Sequence, residues 1–192
     1  MDDLTVINHI INAYKQTIEK QIENNNKSKQ NKMRSSKFIE LITKNLEYQF
    51  PKNNNFAVFS KEMKKNLDFN RHEFLFDIHV CKVDTLISVK NKRVNYIKKS
   101  VVEIESEFAK DTSKVLVDFS KLVCGNSELK IMIVSKCYNE ENFIKSLKDV
   151  ACNINENIFL IILRHPSEWN DIAIQDYSIL CFENDDWIRV NI

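Results

Sequence analysis

The feature that most constrains the fold is a pair of short apolar runs separated by an amphipathic stretch. Residues 129–135 (LKIMIVS) and 158–163 (IFLIIL) are almost wholly apolar, as strands buried on both faces are. Between them, residues 140–151 read as a helix. A strand, a helix and a strand in that order form a crossover within one sheet.

Upstream, residues 4–23 carry Ile7, Ile10, Ile11, Tyr14, Ile18 and Ile22 at helical spacing, with Asp2 or Asp3 available as a cap. Residues 24–32 are polar and without apolar period, which predicts an exposed linker. A second helix is expected from about Ser36, with Pro51 stopping it. The period then changes. Residues 56–60 and 73–82 read as strands, 83–97 as a hairpin excursion with a basic turn, 100–108 as a strand, and 112–124 as a helix. Residues 178–183 and 187–192 read as closing strands. The expected fold is α/β, a mixed central sheet flanked by helices. Residues 1–35 form an N-terminal helix and linker packed on a domain of residues 36–192.

With one Gly and two Pro, the turns must rely on Asn, Asp, Ser and Lys. No apolar run reaches the ~18–20 residues of a membrane span. The opening Met1-Asp2-Asp3 has the wrong charge for a signal peptide, so the chain is expected in the cytoplasm. Five cysteines stand scattered with no C-x-x-C spacing, which predicts reduced core residues rather than zinc or disulfides. A net charge of +1 supplies no global basic field, and leaves room only for local basic patches.

The chemistry is concentrated in Val101-Val102-Glu103-Ile104-Glu105-Ser106-Glu107-Phe108. On a strand Glu103, Glu105 and Glu107 share one face, about 6–7 Å apart. Such a row is either the wet face of an edge strand or a place where a hard cation offsets the repulsion.

Three segments in order resemble the PD-(D/E)xK nuclease superfamily, in its Glu-x-Glu variant. Phe74-Leu75-Phe76-Asp77 resembles the strand bearing the first metal-binding acid. Ile104-Glu105-Ser106-Glu107-Phe108 resembles the Glu-x-Glu strand, and Asp118-Phe119-Ser120-Lys121-Leu122 resembles the helix that follows it. The resemblance spans residues 36–136 and implies a restriction-endonuclease-like fold. It makes Asp77 and Glu105 ligands of Mg²⁺ (or Mn²⁺) and puts Glu107 in the slot usually held by Lys. Lys121, on a polar helix face with Lys114 and Asp118, stands in for that Lys. Two alternatives stay open: a frame shifted to Glu103 and Glu105, and Asp84 as the first acid. His79 would share the face of Asp77.

The implied activity is hydrolysis of DNA phosphodiesters, as in restriction or defence. The alternative is a nuclease-fold module that no longer cleaves and binds nucleic acid or protein. There is neither a P-loop nor a G-x-S-x-G motif. Lys90, Lys92, Arg93, Lys98 and Lys99, with Tyr96 among them, are the candidate nucleic-acid contacts, cations for phosphates and a ring for a base. DNA is the expected partner, with a homodimer left open.

Overall fold

The computed structural model describes residues 2–63, 69, 73–170 and 176–192. Helix α1 (Asp3–Glu19) begins where the Asp2 carboxylate accepts from the Leu4 N–H, and buries Ile7, Ile10, Ile11, Tyr14 and Ile18 on one stripe. It ends at Glu19, short of the apolar Ile22.

Helix α2 (Lys27–Gln49) begins nine residues before Ser36, capped by Asn26, whose side chain accepts from the Lys29 N–H. The polar stretch expected as linker is therefore linker only to Asn26 and helix beyond it. Its first turns are held by tertiary bonds that periodicity cannot register. The buried Arg34 guanidinium donates to the carbonyls of Ile22 (3.1 Å) and Pro166 (2.7 Å) and to the Asn170 side chain.

The sheet has seven strands in chain order: β1 (Phe56–Ser60), β2 (Ile78–Ile87), β3 (Arg93–Glu107), β4 (Leu129–Ser135), β5 (Asn157–Leu163), β6 (Tyr177–Glu183) and β7 (Asp186–Arg189). The first three form an antiparallel meander, β3–β4 and β4–β5 are parallel, and β5 to β7 are antiparallel again. Helices α3 (Thr112–Cys124) and α4 (Glu140–Ala151) make the two crossovers. The protein is thus an α/β fold with a mixed sheet between helical layers. Alternation along the strands assigns each face its core. Ile78, Val80, Val102, Ile104, Ile131, Ile133 and Ile161 pack with α1 and α2, and Met132, Val134, Leu160 and Ile162 with α3 and α4. Tyr14, Phe38, Phe108 and Trp169 meet edge-to-face at 5.4–6.3 Å, which adds to the apolar burial of the first layer.

Two features position the candidate site. The strand expected over 73–82 starts only at Ile78, because Leu75 sits at φ 88° with its side chain 73% exposed and breaks the alternation. Asp77 therefore lies in the bend that enters β2. The β2–β3 hairpin also outruns its neighbours. β1 pairs only with residues 78–82 of β2 and β4 only with residues 102–107 of β3, leaving residues 83–97 as a two-stranded arm.

Cys81 and Cys181 are buried, but Cys124 and Cys152 are exposed, at the last residue of α3 and the first beyond α4. All five are free thiols. Among the described residues no helix is long and apolar enough to cross a membrane.

Candidate active site

β3 is an interior strand and its acids are not a wet face. Glu103 and Glu105 are each 1% exposed, covered by α3. Burying an ionised carboxylate is costly unless it is paired, so the partners of each acid define what the site can do.

Around Glu105 the structure gathers Asp77, Ser106, Lys61, Lys121 and Asp118. Asp77 Oδ2 accepts from the Ser106 N–H (3.1 Å) and Oγ–H (2.6 Å), and Asp77 Oδ1 accepts from the Lys61 ammonium at 2.5 Å. Both lobes of that carboxylate are thereby oriented. Burial works to lower the Lys61 pKa, but the hydrogen bond and charge of Asp77 outweigh it and the net shift is upward. Glu105 is less well served. Its Oε2 lies 3.4 Å from Lys121 Nζ, a long contact, and its Oε1 is buried with no partner. Burial first, then the negative charge of Asp77, push the Glu105 carboxyl up to about 8, with Asp118 adding and Lys121 opposing. Lys121 is held by Asp118 at 2.7 Å. Burial lowers its pKa and the two acids more than restore it.

Glu107 makes no hydrogen bond or ion pair with Asp77, Glu105 or Lys121. At the end of β3 its Oε1 accepts from the Ala109 N–H at 2.6 Å. It lines a small cavity with Lys32, Ser35, Lys61 and Ser106, on the side of α2.

Glu103 belongs to a second buried network. Its Oε1 accepts from Ser100 Oγ (2.8 Å) and from the Asn126 N–H (3.2 Å), while Oε2 has no partner. His79, directly across the ladder from Glu103, has Nε2 2.6 Å from Ser100 Oγ and Nδ1 3.1 Å from the Phe74 carbonyl. The protons can be counted. A carbonyl only accepts, so Nδ1 carries hydrogen. Ser100 has one proton and two contacts that need one each. A second must sit on His79 Nε2 or on the Glu103 carboxyl, and in either case the pair carries no net charge. Burial lowers the His79 pKa against the opposing effects of Phe74 and Glu103. His79 thus anchors the bend before β2 instead of joining Asp77. The room for Glu103 comes from Gly125, the only glycine in the chain, where a Cβ would fall 1.8 Å from Glu103 Oε2.

The basic residues are not brought to the acids. Lys90 and Lys92 lie in the turn of the arm, and Arg93 opens β3. At about 3.3 Å per residue, Lys99 is ~20 Å and Arg93 ~40 Å from Glu105 along the strand. Lys98 pairs with Asp84 at 3.0 Å, and Lys99 pairs with Glu128. Asp84, the alternative first acid, is therefore an arm residue, opposite Tyr96 in the ladder and remote from Glu105. Tyr96 itself is exposed.

Sequence reasoning gave no role to Lys61, Ser106 or Asp118. Lys61 follows β1 in a segment without period, and Ser106 has the strand parity opposite to the acids. Asp118 did carry a signal, since it sits one helical turn before Lys121.

As a metal centre the set fits a hard cation that keeps most of its water. Among the described residues no three His, Cys, Asp or Glu side chains are disposed to hold a metal. Glu105 offers an inward oxygen with no partner. Asp77 offers one on releasing Lys61, whose side chain is 46% exposed and free to swing away. Mg²⁺ commonly binds through one or two carboxylates with waters and substrate phosphate. No family model, curated protein or solved structure matches this chain.

Proposed function

We propose that the protein is a cytoplasmic Mg²⁺- or Mn²⁺-dependent endonuclease that hydrolyses DNA phosphodiesters with a PD-(D/E)xK-type site. The observation that carries this reading is the partnerless buried oxygen of Glu105 beside Asp77 and Lys121. A protein has little reason to bury an acid so poorly satisfied unless something else completes it. The element order supports it as well. The first acid enters the second strand of a meander, the second acid lies on the third strand, and a helix carrying Lys121 leads to the buried parallel β4.

Bound there, the cation would lower the pKa of a coordinated water and offset charge on the scissile phosphate. The chain's own residues do the rest. Asp77 and Glu105 hold the cation, and Ser106 fixes the Asp77 carboxylate through two hydrogen bonds. Lys121, kept in place and cationic by Asp118, takes the role of the strand Lys: it orients water or meets the developing negative charge. Glu107, bonded to the Ala109 N–H, is left an outlying role at most.

A second reading, a nuclease-fold module that binds without cutting, is favoured by one observation: both oxygens of Asp77 are already engaged. Incubation of purified protein with plasmid and single-stranded DNA in Mn²⁺ or Mg²⁺ separates the two. Cleavage stopped by EDTA and absent in Asp77→Ala and Glu105→Gln, purified identically, is the expected result. A melting temperature raised by millimolar Mg²⁺ in the wild type but not in Glu105→Gln should accompany it. No cleavage with either metal, together with an unshifted melting curve, overturns the proposal in favour of the binding module.

A further inference from the structure

The arm of residues 83–97, with Lys98 and Lys99 at its root, has no partner strand on either side among the described residues. Residues 83–87 pair with 93–97 and with nothing else in the sheet. An isolated ribbon is marginal, yet this one is well built. Its turn is closed by the Ser88 N–H to the Lys92 carbonyl (2.8 Å), the Asn91 N–H to the Ser88 carbonyl (2.8 Å), and the Lys92 N–H to Ser88 Oγ (3.2 Å). Asn91 takes the left-handed conformation at φ 51° that asparagine tolerates.

Charge says what the arm is for. From residue 85 to residue 102 there is no acid and there are five Lys or Arg. The whole chain carries +1, so everything outside the arm is net negative. Asp84 and Glu128 answer Lys98 and Lys99 at the root. At the tip Lys90, Lys92 and Arg93 have no acidic partner among the described residues. Beside them Ile87 and Val89 are 72% and 104% exposed.

We propose that this arm enters the major groove of double-stranded DNA, so that the protein grips a duplex away from its carboxylate cluster. The ~12 Å major groove admits a two-stranded ribbon, whose backbones lie under 5 Å apart. Tip cations meet phosphates, and exposed aliphatic side chains suit base edges such as the thymine methyl. A single strand is the poorer fit, since such binders stack successive bases on several rings and the arm offers only Tyr96. A second copy of the chain is the poorer fit wherever arms meet tip to tip, since that sets the tip cations against one another. The proposal rests on the nuclease reading only for what lies ~40 Å away along β3, close to one turn of duplex. The grip does not depend on cleavage.

Binding is therefore measured in EDTA, by fluorescence anisotropy of a labelled duplex of about three helical turns and of its single strand. The full chain is compared with a Lys90→Gln/Lys92→Gln/Arg93→Gln variant whose melting curve shows it folded. The wild type should prefer duplex at least tenfold. The variant should lose at least tenfold in duplex affinity, and its slope of log K against log salt should shrink by about 2–3. Equal duplex affinity in variant and wild type overturns the proposal, as does equal binding of single strand and duplex. So does a wild-type dimer in sedimentation that the variant abolishes, which would make the arm a contact between copies. Duplex binding through the tip without cleavage would sink the nuclease reading and leave this one standing. Cleavage by a variant of unchanged duplex affinity would do the reverse.

Discussion

Gly125 offers the sharpest test of the buried acid network. Its φ of −78° and ψ of 169° are open to any residue, so conformational freedom is not why glycine stands there. Space is. An alanine Cβ would lie 1.8 Å from Glu103 Oε2, 2.5 Å from its Cδ and 2.8 Å from Oε1, which real contacts do not reach. The carboxylate must move, and it is held by Ser100 and the Asn126 N–H. Hydrogen bonds to a charged group are worth about 1.5–3 kcal/mol each. Losing both, less the ~0.4–1 kcal/mol by which Ala restrains the unfolded chain relative to Gly, predicts that Gly125→Ala costs about 2–5 kcal/mol. At ~2–4 °C per kcal/mol for a domain of this size, that is a fall of roughly 10 °C in melting temperature. Urea unfolding of the wild type, Gly125→Ala, Glu103→Ala and the double variant measures it. In the Glu103→Ala background the added methyl should cost less than ~0.5 kcal/mol, giving a coupling near 3 kcal/mol. A Gly125→Ala protein as stable as wild type, or equally destabilised in both backgrounds, would refute the reasoning.

The raised carboxyl of Glu105 predicts a pH dependence of known sign. Its folded pKa of about 8 lies above the ordinary 4.5, so the folded state binds the proton more tightly, and in EDTA stability should fall as pH rises from ~4.5 to ~8. Glu105→Gln should flatten that fall in denaturation midpoints taken across the range, and an unchanged profile would show that another group sets it. Lys121→Met removes a cation that holds the Glu105 carboxyl down, so the upper end of the fall should move to higher pH in the same assay. Mg²⁺ bound as proposed would have to displace the Glu105 proton near neutrality, so calorimetry in buffers of different ionisation enthalpy should find proton release on binding, and affinity rising with pH. Leu75, at φ 88°, bears strain of order 1–3 kcal/mol. Leu75→Gly should therefore leave the thermal midpoint unchanged or raise it, and a clear drop would mean that the side chain contributes despite its exposure.

Much of the fold was legible because it is written in periods. The apolar runs of β4 and β5, the amphipathic α3 and α4, and the alternation of β3 all reflect burial by a sheet or a helix face, and burial is what hydrophobic pattern records. The start of α2 was not legible, because its first turns are tied down by Arg34 reaching Pro166, 132 residues away. The bend at Asp77 was hidden because the left-handed residue is a leucine where a glycine would have marked it. Within the site, the alternation of Glu103 and Glu105 correctly placed both on one face. It could not say that the two would serve separate networks, because that division is made by what the loops deliver. Lys61 is delivered to the Asp77 and Glu105 group, while the Phe74 carbonyl, Gly125 and Asn126 are delivered to His79 and Glu103.

The strands of the sheet lie in space in the order in which they are synthesised. Each new strand leaving the ribosome therefore finds its neighbour already in place, and no strand must be inserted between two others. Low sequence separation between pairing partners favours fast assembly. The carboxylates impose their own timetable on it. The meander of β1, β2 and β3 can form while Glu103 and Glu105 still face water, and their charge keeps that unfinished surface soluble. The desolvation cost arrives only when Thr112–Cys124 folds back and β4 docks. The step that hides the acids is then the same step that brings Lys121 and Asn126 to meet them.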